Sequence, residues 1–158
     1  MELLYLNTSA DAAYELPVER KFVVEERELN KGKAVYTLYG HARGDLITNF
    51  TGTVLSYRTQ HTLQINPTIH LLDLDFVGYL AHSCSPNVFV DMQSLEVWAL
   101  QDIAPGASLT MDYAATEDIL FKQFPCLCGS PSCRHWITGR KEQISEEGRR
   151  FLQGFTRC

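Results

Sequence analysis

The sequence predicts a mainly β single domain closed by a cysteine-rich tail and a short helix. Over the first two-thirds, short runs of β-forming residues alternate with turns built on Gly, Pro and Asn. Three of the five cysteines then crowd together near the end of the chain. A length of 158 residues at 45% apolar is enough to bury one core, and fits one domain.

In order, Lys21 to Arg27 is rich in β-formers and meets a turn at Asn30-Lys31-Gly32, after which Ala34 to Tyr39 forms the next run. Arg43-Gly44-Asp45 turns the chain into Leu46 to Phe50, and Thr53 to Tyr57 follows. Thr62 to Asn66 alternates apolar and polar and closes at Asn66-Pro67. Phe76 to Ala81 reads as a short helical turn ahead of a polar loop, His82 to Asn87. Val88 to Asp91, Leu95 to Leu100 and Ser108 to Tyr113 complete the strands, with Ala104-Pro105-Gly106 turning between the last two. Residues 126–139 show no periodicity, so that loop needs a staple to be ordered. Ser145 reads as an N-cap with Glu146 and Glu147 in the first turn of a helix reaching Phe155.

Charge and hydropathy exclude several classes. Nineteen acidic residues against fourteen basic ones give a net charge of −5, which argues against a basic nucleic-acid face. No stretch approaches the ~20 consecutive apolar residues of a membrane helix, so a soluble protein with no membrane partner is expected. Met1 to Ala13 lacks a charged start followed by an apolar run, so no signal peptide and a cytoplasmic location are expected.

Five cysteines leave one over in any full disulfide scheme, and intracellular thiols stay reduced. Cys126, Cys128 and Cys133 form C-x-C-x4-C, which lets one loop wrap one ion. A structural zinc takes four ligands, and Cys84, in a turn of Ser, Pro and Asn, is the best candidate for the fourth. A set of unrelated reduced thiols is the alternative. Cys158 reads as a free terminal thiol.

Three ordered motifs carry a resemblance. His82-Ser83-Cys84-Ser85-Pro86-Asn87 resembles the N-H-S-C-x-P-N segment of SET-domain protein lysine methyltransferases. Ala104 to Tyr113, ending Leu109-Thr110-Met111-Asp112-Tyr113, is similar to their I-x-x-G-E-E-L-T-x-D-Y strand, and Cys126 to Arg134 to their post-SET segment, C-x-C-G-x-x-x-C-R. Weaker likeness reaches back to Lys31 to Val35, where that family has G-x-G-V, and the whole covers roughly residues 18 to 140. The resemblance implies a SET-domain fold of short twisted β-sheets with a knot-like crossing, a zinc-bound post-SET loop and a short C-terminal helix. The implied units are a SET domain over 18–120, a post-SET zinc segment over 121–140 and a helical end over 141–158.

It further implies a structural zinc on Cys84, Cys126, Cys128 and Cys133, with S-adenosylmethionine as cofactor. By the same resemblance Tyr113 is the catalytic tyrosine and also touches the cofactor. Ala81 and His82 hold it, Lys33 and Ala34 line its methionine end, and Phe124 and Leu127 cover its adenine. The implied reaction is N-methylation of a lysine on a protein or peptide, with a partner protein supplying specificity. Asn87, beside Pro86, is expected to pair with its own turn.

The pattern departs at three places: Ala81 stands where the family has Asn, Met111 where it has an aromatic, and His61 near a second channel tyrosine. These departures keep two other readings open: a catalytically silent partner-binding module, and a methyltransferase for a small-molecule amine.

Overall fold

The structure is a computed structural model in which residues 20–29 and 31–155 are described, so Asn30 and Cys158 lie outside the described residues. The strands are β1 (Phe22–Glu25), β2 (Ala34–Thr37), β3 (Leu46–Asn49), β4 (Thr53–Leu55), β5 (Thr62–Asn66), β6 (Ile69–Leu72), β7 (Ala81–His82), β8 (Val88–Asp91), β9 (Glu96–Ala99), β10 (Ser108–Met111), β11 (Phe124–Pro125) and β12 (Trp136–Ile137). One helix, α1 (Glu146–Gln153), follows. The fold is mainly β, as the sequence predicts, and β5 and β8 keep the expected bounds. The expected helical turn at 76–81 shrinks to a 3-10 turn over Val77–Tyr79. Ala81 and His82 pair instead as β7, because Leu80 has an extended backbone and ends the turn.

Four short sheets assemble in the orders β1-β2-β10-β7, β3-β9-β8, β4-β6-β5 and β11-β12. Alternation decides which residues face the core. In β2, Val35 and Thr37 point inward, and in β10 Leu109 and Met111 do. Val35, Leu80, Val88, Val97 and Leu109 are at most 2% exposed and form the centre of the main cluster. Pro105 and Gly106 make the turn into β10. Ala107 donates to the Ala104 carbonyl, and Gly106 takes the positive φ of 82° that a side chain would strain.

The crossing lies between β7 and β10, the one parallel pair among the described residues, with Thr110 opposite Ala81 and Met111 opposite His82. The chain then runs on beside β10, where Ser83 N–H donates to the Met111 carbonyl. Asn87 corrects the sequence expectation. Its side chain bonds to β10 and not to its own turn: Nδ2 donates to the Ser108 carbonyl at 2.8 Å, and Oδ1 accepts from Thr110 N–H at 2.7 Å. The amide of Asn87 thus stands in for a peptide unit and extends the sheet by one rung. A strand edge with unpaired backbone groups offers more than a local turn does.

The tail forms a second, small core of Leu120, Cys126 and Ile137, with Tyr113, Phe124, Cys84, Cys128 and Cys133 packed on it. Helix α1 starts where expected: the Ser145 hydroxyl accepts from Gly148 N–H at 3.1 Å. It closes the tail by setting Phe151 against Trp136, ring centres 5.5 Å apart.

Candidate functional site

The two cores meet at Tyr113, and a cleft of about 640 Å³ opens beside it. Its walls come from residues 31–33, the loop of residues 58–63 into β5, the 3-10 turn at 77–80, Met111 at the end of β10, and residues 116–124. Gly78 is needed in that wall, since a Cβ there would run into the carbonyls of Asp73 and His61.

Tyr113 is held at both ends. Its hydroxyl donates to the Leu80 carbonyl at 2.7 Å, and its backbone N–H donates to His82 Nδ1 at 3.2 Å. Its ring packs edge-on to His82 and to Phe124, with centres 5.2 and 5.7 Å away. Burial pushes the Tyr113 phenol up to about 12, so the hydroxyl stays neutral and keeps its proton. Burial likewise pulls His82 down to about 4, only partly opposed by Asp112. The neutral imidazole can therefore accept from the Tyr113 backbone. A fixed, uncharged hydroxyl is suited to orienting a reacting amine without adding charge.

The four cysteines Cys84, Cys126, Cys128 and Cys133 come together as the sequence predicts, all four sulfurs within 4.8 Å of one another and the Cys84–Cys126 pair at 3.9 Å. A tetrahedron with zinc–sulfur arms of ~2.3 Å has edges of ~3.8 Å, so the donor set fits a structural zinc. Burial raises the Cys126 thiol, while the Ser130 backbone N–H pulls Cys128 down to about 5, toward the thiolate a metal needs. Arg134, next to the last ligand, pairs with Asp112 at 2.6 Å, so the cysteine loop is also tied to the residue before Tyr113.

The structure gathers some of the other expected residues and leaves others apart. Lys33, Phe124, Met111 and His61 line the cleft, and His61 Nδ1 lies 3.0 Å from the Gly78 carbonyl, beside the Tyr79 ring. His82 stands behind Tyr113. Ala81 and Ala34 lie in strands just outside the lining, paired with Thr110 and Glu25. Leu127 does not reach the cleft: it is 80% exposed, because the cysteines on either side of it turn inward to the common centre and leave it pointing out. Sequence reasoning missed Glu117, which lines the cleft at 7% exposure. Its Oε1 accepts from Gln64 N–H at 2.7 Å, and burial lifts its carboxyl to about 7. Nothing local marks it, since its partner is 53 residues away. Arg58 and Lys122 also line the cleft and carry no motif that marks them in the sequence.

The sequence profile of the SET domain family matches residues 14–114. The chain belongs to the SET domain family. Its match to the methyltransferase flvH of Aspergillus flavus is 29% identical over 126 residues, covering 75% of this chain and 71% of that protein. A Schizosaccharomyces pombe histone-lysine N-methyltransferase specific for H3 lysine 4 is 35% identical over 65 residues, covering 37% of this chain and 7% of that protein. The solved structure of KRYPTONITE with mCHG DNA and SAH superposes with a TM-score of 0.57 at 26% identity, over 73% of this chain and 29% of that one. Another KRYPTONITE structure holds an H3(1-15) peptide as well as DNA and SAH. The SET chain described here thus spans a small part of the histone enzymes and most of the fungal methyltransferase. Because KRYPTONITE is seen with DNA, these relatives lend no support to the sequence expectation that nucleic acid plays no part. No described helix is long and apolar enough to cross a membrane.

Proposed function

We propose that this SET domain is an S-adenosylmethionine-dependent N-methyltransferase that acts on a lysine amine of a protein or peptide. The observation that carries the reading is Tyr113: a neutral hydroxyl, fixed on the Leu80 carbonyl at one wall of a cleft large enough for a cofactor and a side chain. S-adenosylmethionine supplies an electrophilic methyl group when bound. For such a displacement, alignment of the amine dominates, and a lysine must also be neutral.

The residues divide that work. Tyr113 orients the amine and cannot itself be a base, since its proton is held far above neutral pH. Phe124 offers an aromatic face to the cofactor's adenine and Lys33 a cation to its carboxylate, while Ala81 and His82 on β7 support its methionine end from just outside the lining. In this reading Cys84, Cys126, Cys128 and Cys133 hold zinc with no open position for substrate. The metal pins residues 121–140 against the transfer site in 18–120, and the segment 141–158 closes the tail.

A small-molecule amine is the second reading, since the chain covers 71% of a fungal relative named as a methyltransferase with no histone in its name. The test is methyl transfer from labelled cofactor to peptides and to free amines, with Tyr113→Phe as control. Tyr113→Phe is expected to lower kcat by at least ~100-fold with the fold retained. Full turnover in that variant would remove Tyr113 from the mechanism.

A further inference from the structure

The cleft has a charge opposite to that of the chain. Its lining carries Lys31, Lys33, Arg58 and Lys122 against a single acid, Glu117, whereas the whole sequence has nineteen acidic and fourteen basic residues. Among the described residues only Lys31 of the four has an ion-pair partner, Glu28 on the exposed rim. Lys33 lies over the Tyr79 ring, while among the described residues no carboxylate forms an ion pair with Arg58 or Lys122. Glu117 is buried, anchored on Gln64 and within the field of Arg58, so a single carboxyl faces the four cations of the lining.

We infer that the amine methylated here is carried on an acidic substrate, whose carboxylates meet Arg58 and Lys122 beside the acceptor nitrogen. The inference rests on the methyl-transfer reading above and adds the class of substrate. Lys31 and Lys33 stand at the end assigned to the cofactor, leaving Arg58 in the loop before β5 and Lys122 in the tail as the cations open to a substrate. A positive cleft disfavours an ammonium and so helps the acceptor amine lose its proton. It also repels a lysine flanked by further lysines or arginines and attracts one flanked by carboxylates. Those carboxylates can come from acidic neighbours in a peptide or from the α-carboxylate of a free amino acid.

The test uses the full, zinc-loaded chain with methyl-labelled S-adenosylmethionine. Three acceptors are compared: single-lysine peptide pools with Asp and Glu flanks, pools with Arg flanks, and free lysine. The initial rate with the acid-flanked pool or with free lysine is expected to exceed that with the Arg-flanked pool by at least about tenfold, and the gap should narrow at high salt. Whichever of the two is faster identifies the source of the carboxylate.

Lys122→Glu and Arg58→Gln should each shrink the gap. Lys122 is exposed, so its variant reports even if loss of the part-buried Arg58 impairs folding. Fluorescence anisotropy of labelled pools without cofactor reads the same preference without chemistry. An Arg-flanked pool that binds and reacts equally well or better overturns the inference, as does a ratio unchanged in both variants. Preferential binding of the acidic pool with no transfer to any acceptor would overturn the methyl-transfer reading and leave the charge preference standing.

Discussion

Asn87→Ala tests the crossing that brings His82 and Cys84 beside Tyr113. The substitution removes two short bonds, from Nδ2 to the Ser108 carbonyl at 2.8 Å and from Thr110 N–H to Oδ1 at 2.7 Å. Both partners are backbone groups of β10 that lose their acceptor or donor. An unsatisfied buried backbone group costs ~1–3 kcal/mol, and Asn87 is half-buried, so water can compensate in part. The expected loss is therefore ~2–4 kcal/mol, a large fraction of a stability of ~5–15 kcal/mol. Urea unfolding of the zinc-loaded protein measures it, with an unchanged slope showing that the unfolded state is not at issue. Asn87→Asp keeps the acceptor but turns a second oxygen toward the Ser108 carbonyl, and is expected to be no more stable than Asn87→Ala. A loss below ~0.5 kcal/mol in Asn87→Ala would refute the idea that this amide serves as a rung of the sheet.

Removing the metal should unfold the tail first. Chelation is expected to abolish the near-ultraviolet signal of Trp136 and Phe124 and to release one zinc per chain, and Cys84→Ala should do the same despite lying outside the tail. Retention of one zinc by Cys84→Ala would remove that residue from the ligand set. Glu117 makes stability depend on pH. Its carboxyl is raised from 4.5 to about 7, so the stability gained by holding its proton is present below pH 4.5 and lost as pH rises through about 7. The full difference is ~3 kcal/mol at most. Glu117→Gln should flatten the fall in Tm between pH 5 and 8, and an unchanged profile would show that the carboxyl is not desolvated.

Much of this molecule could be read in the sequence, but only where local chemistry decides structure. The strand over Thr62–Asn66, the Ser145 cap and the Pro105-Gly106 turn are encoded within a few residues, and all three form, although Thr62, Leu63 and Gln64 are buried in succession and not alternately. The cysteine spacing was legible because one loop can satisfy three ligand positions by itself. What escaped depends on partners far along the chain. Strand β6, Ile69–Leu72, lacks alternation because His70 and Leu71 are buried in succession between two neighbouring strands. Strands β7, β11 and β12 have two residues each, too few for any pattern. Asn87 reaches a strand 21 to 23 residues away, and Glu117 answers to Gln64. The catalytic expectation for Tyr113 came from a motif, and the motif is silent on the Leu80 carbonyl that fixes its hydroxyl.

Calorimetric titration of the zinc-loaded chain with S-adenosylmethionine tests methyl transfer at its first step and needs no knowledge of the substrate. Saturable binding at one site, with affinity near micromolar (about −8 kcal/mol), is the expected result and would show that Ala81 is tolerated where the family has Asn. An absence of binding heat, with zinc in place and the fold intact, would contradict the enzyme reading and turn the cleft into a partner-binding surface.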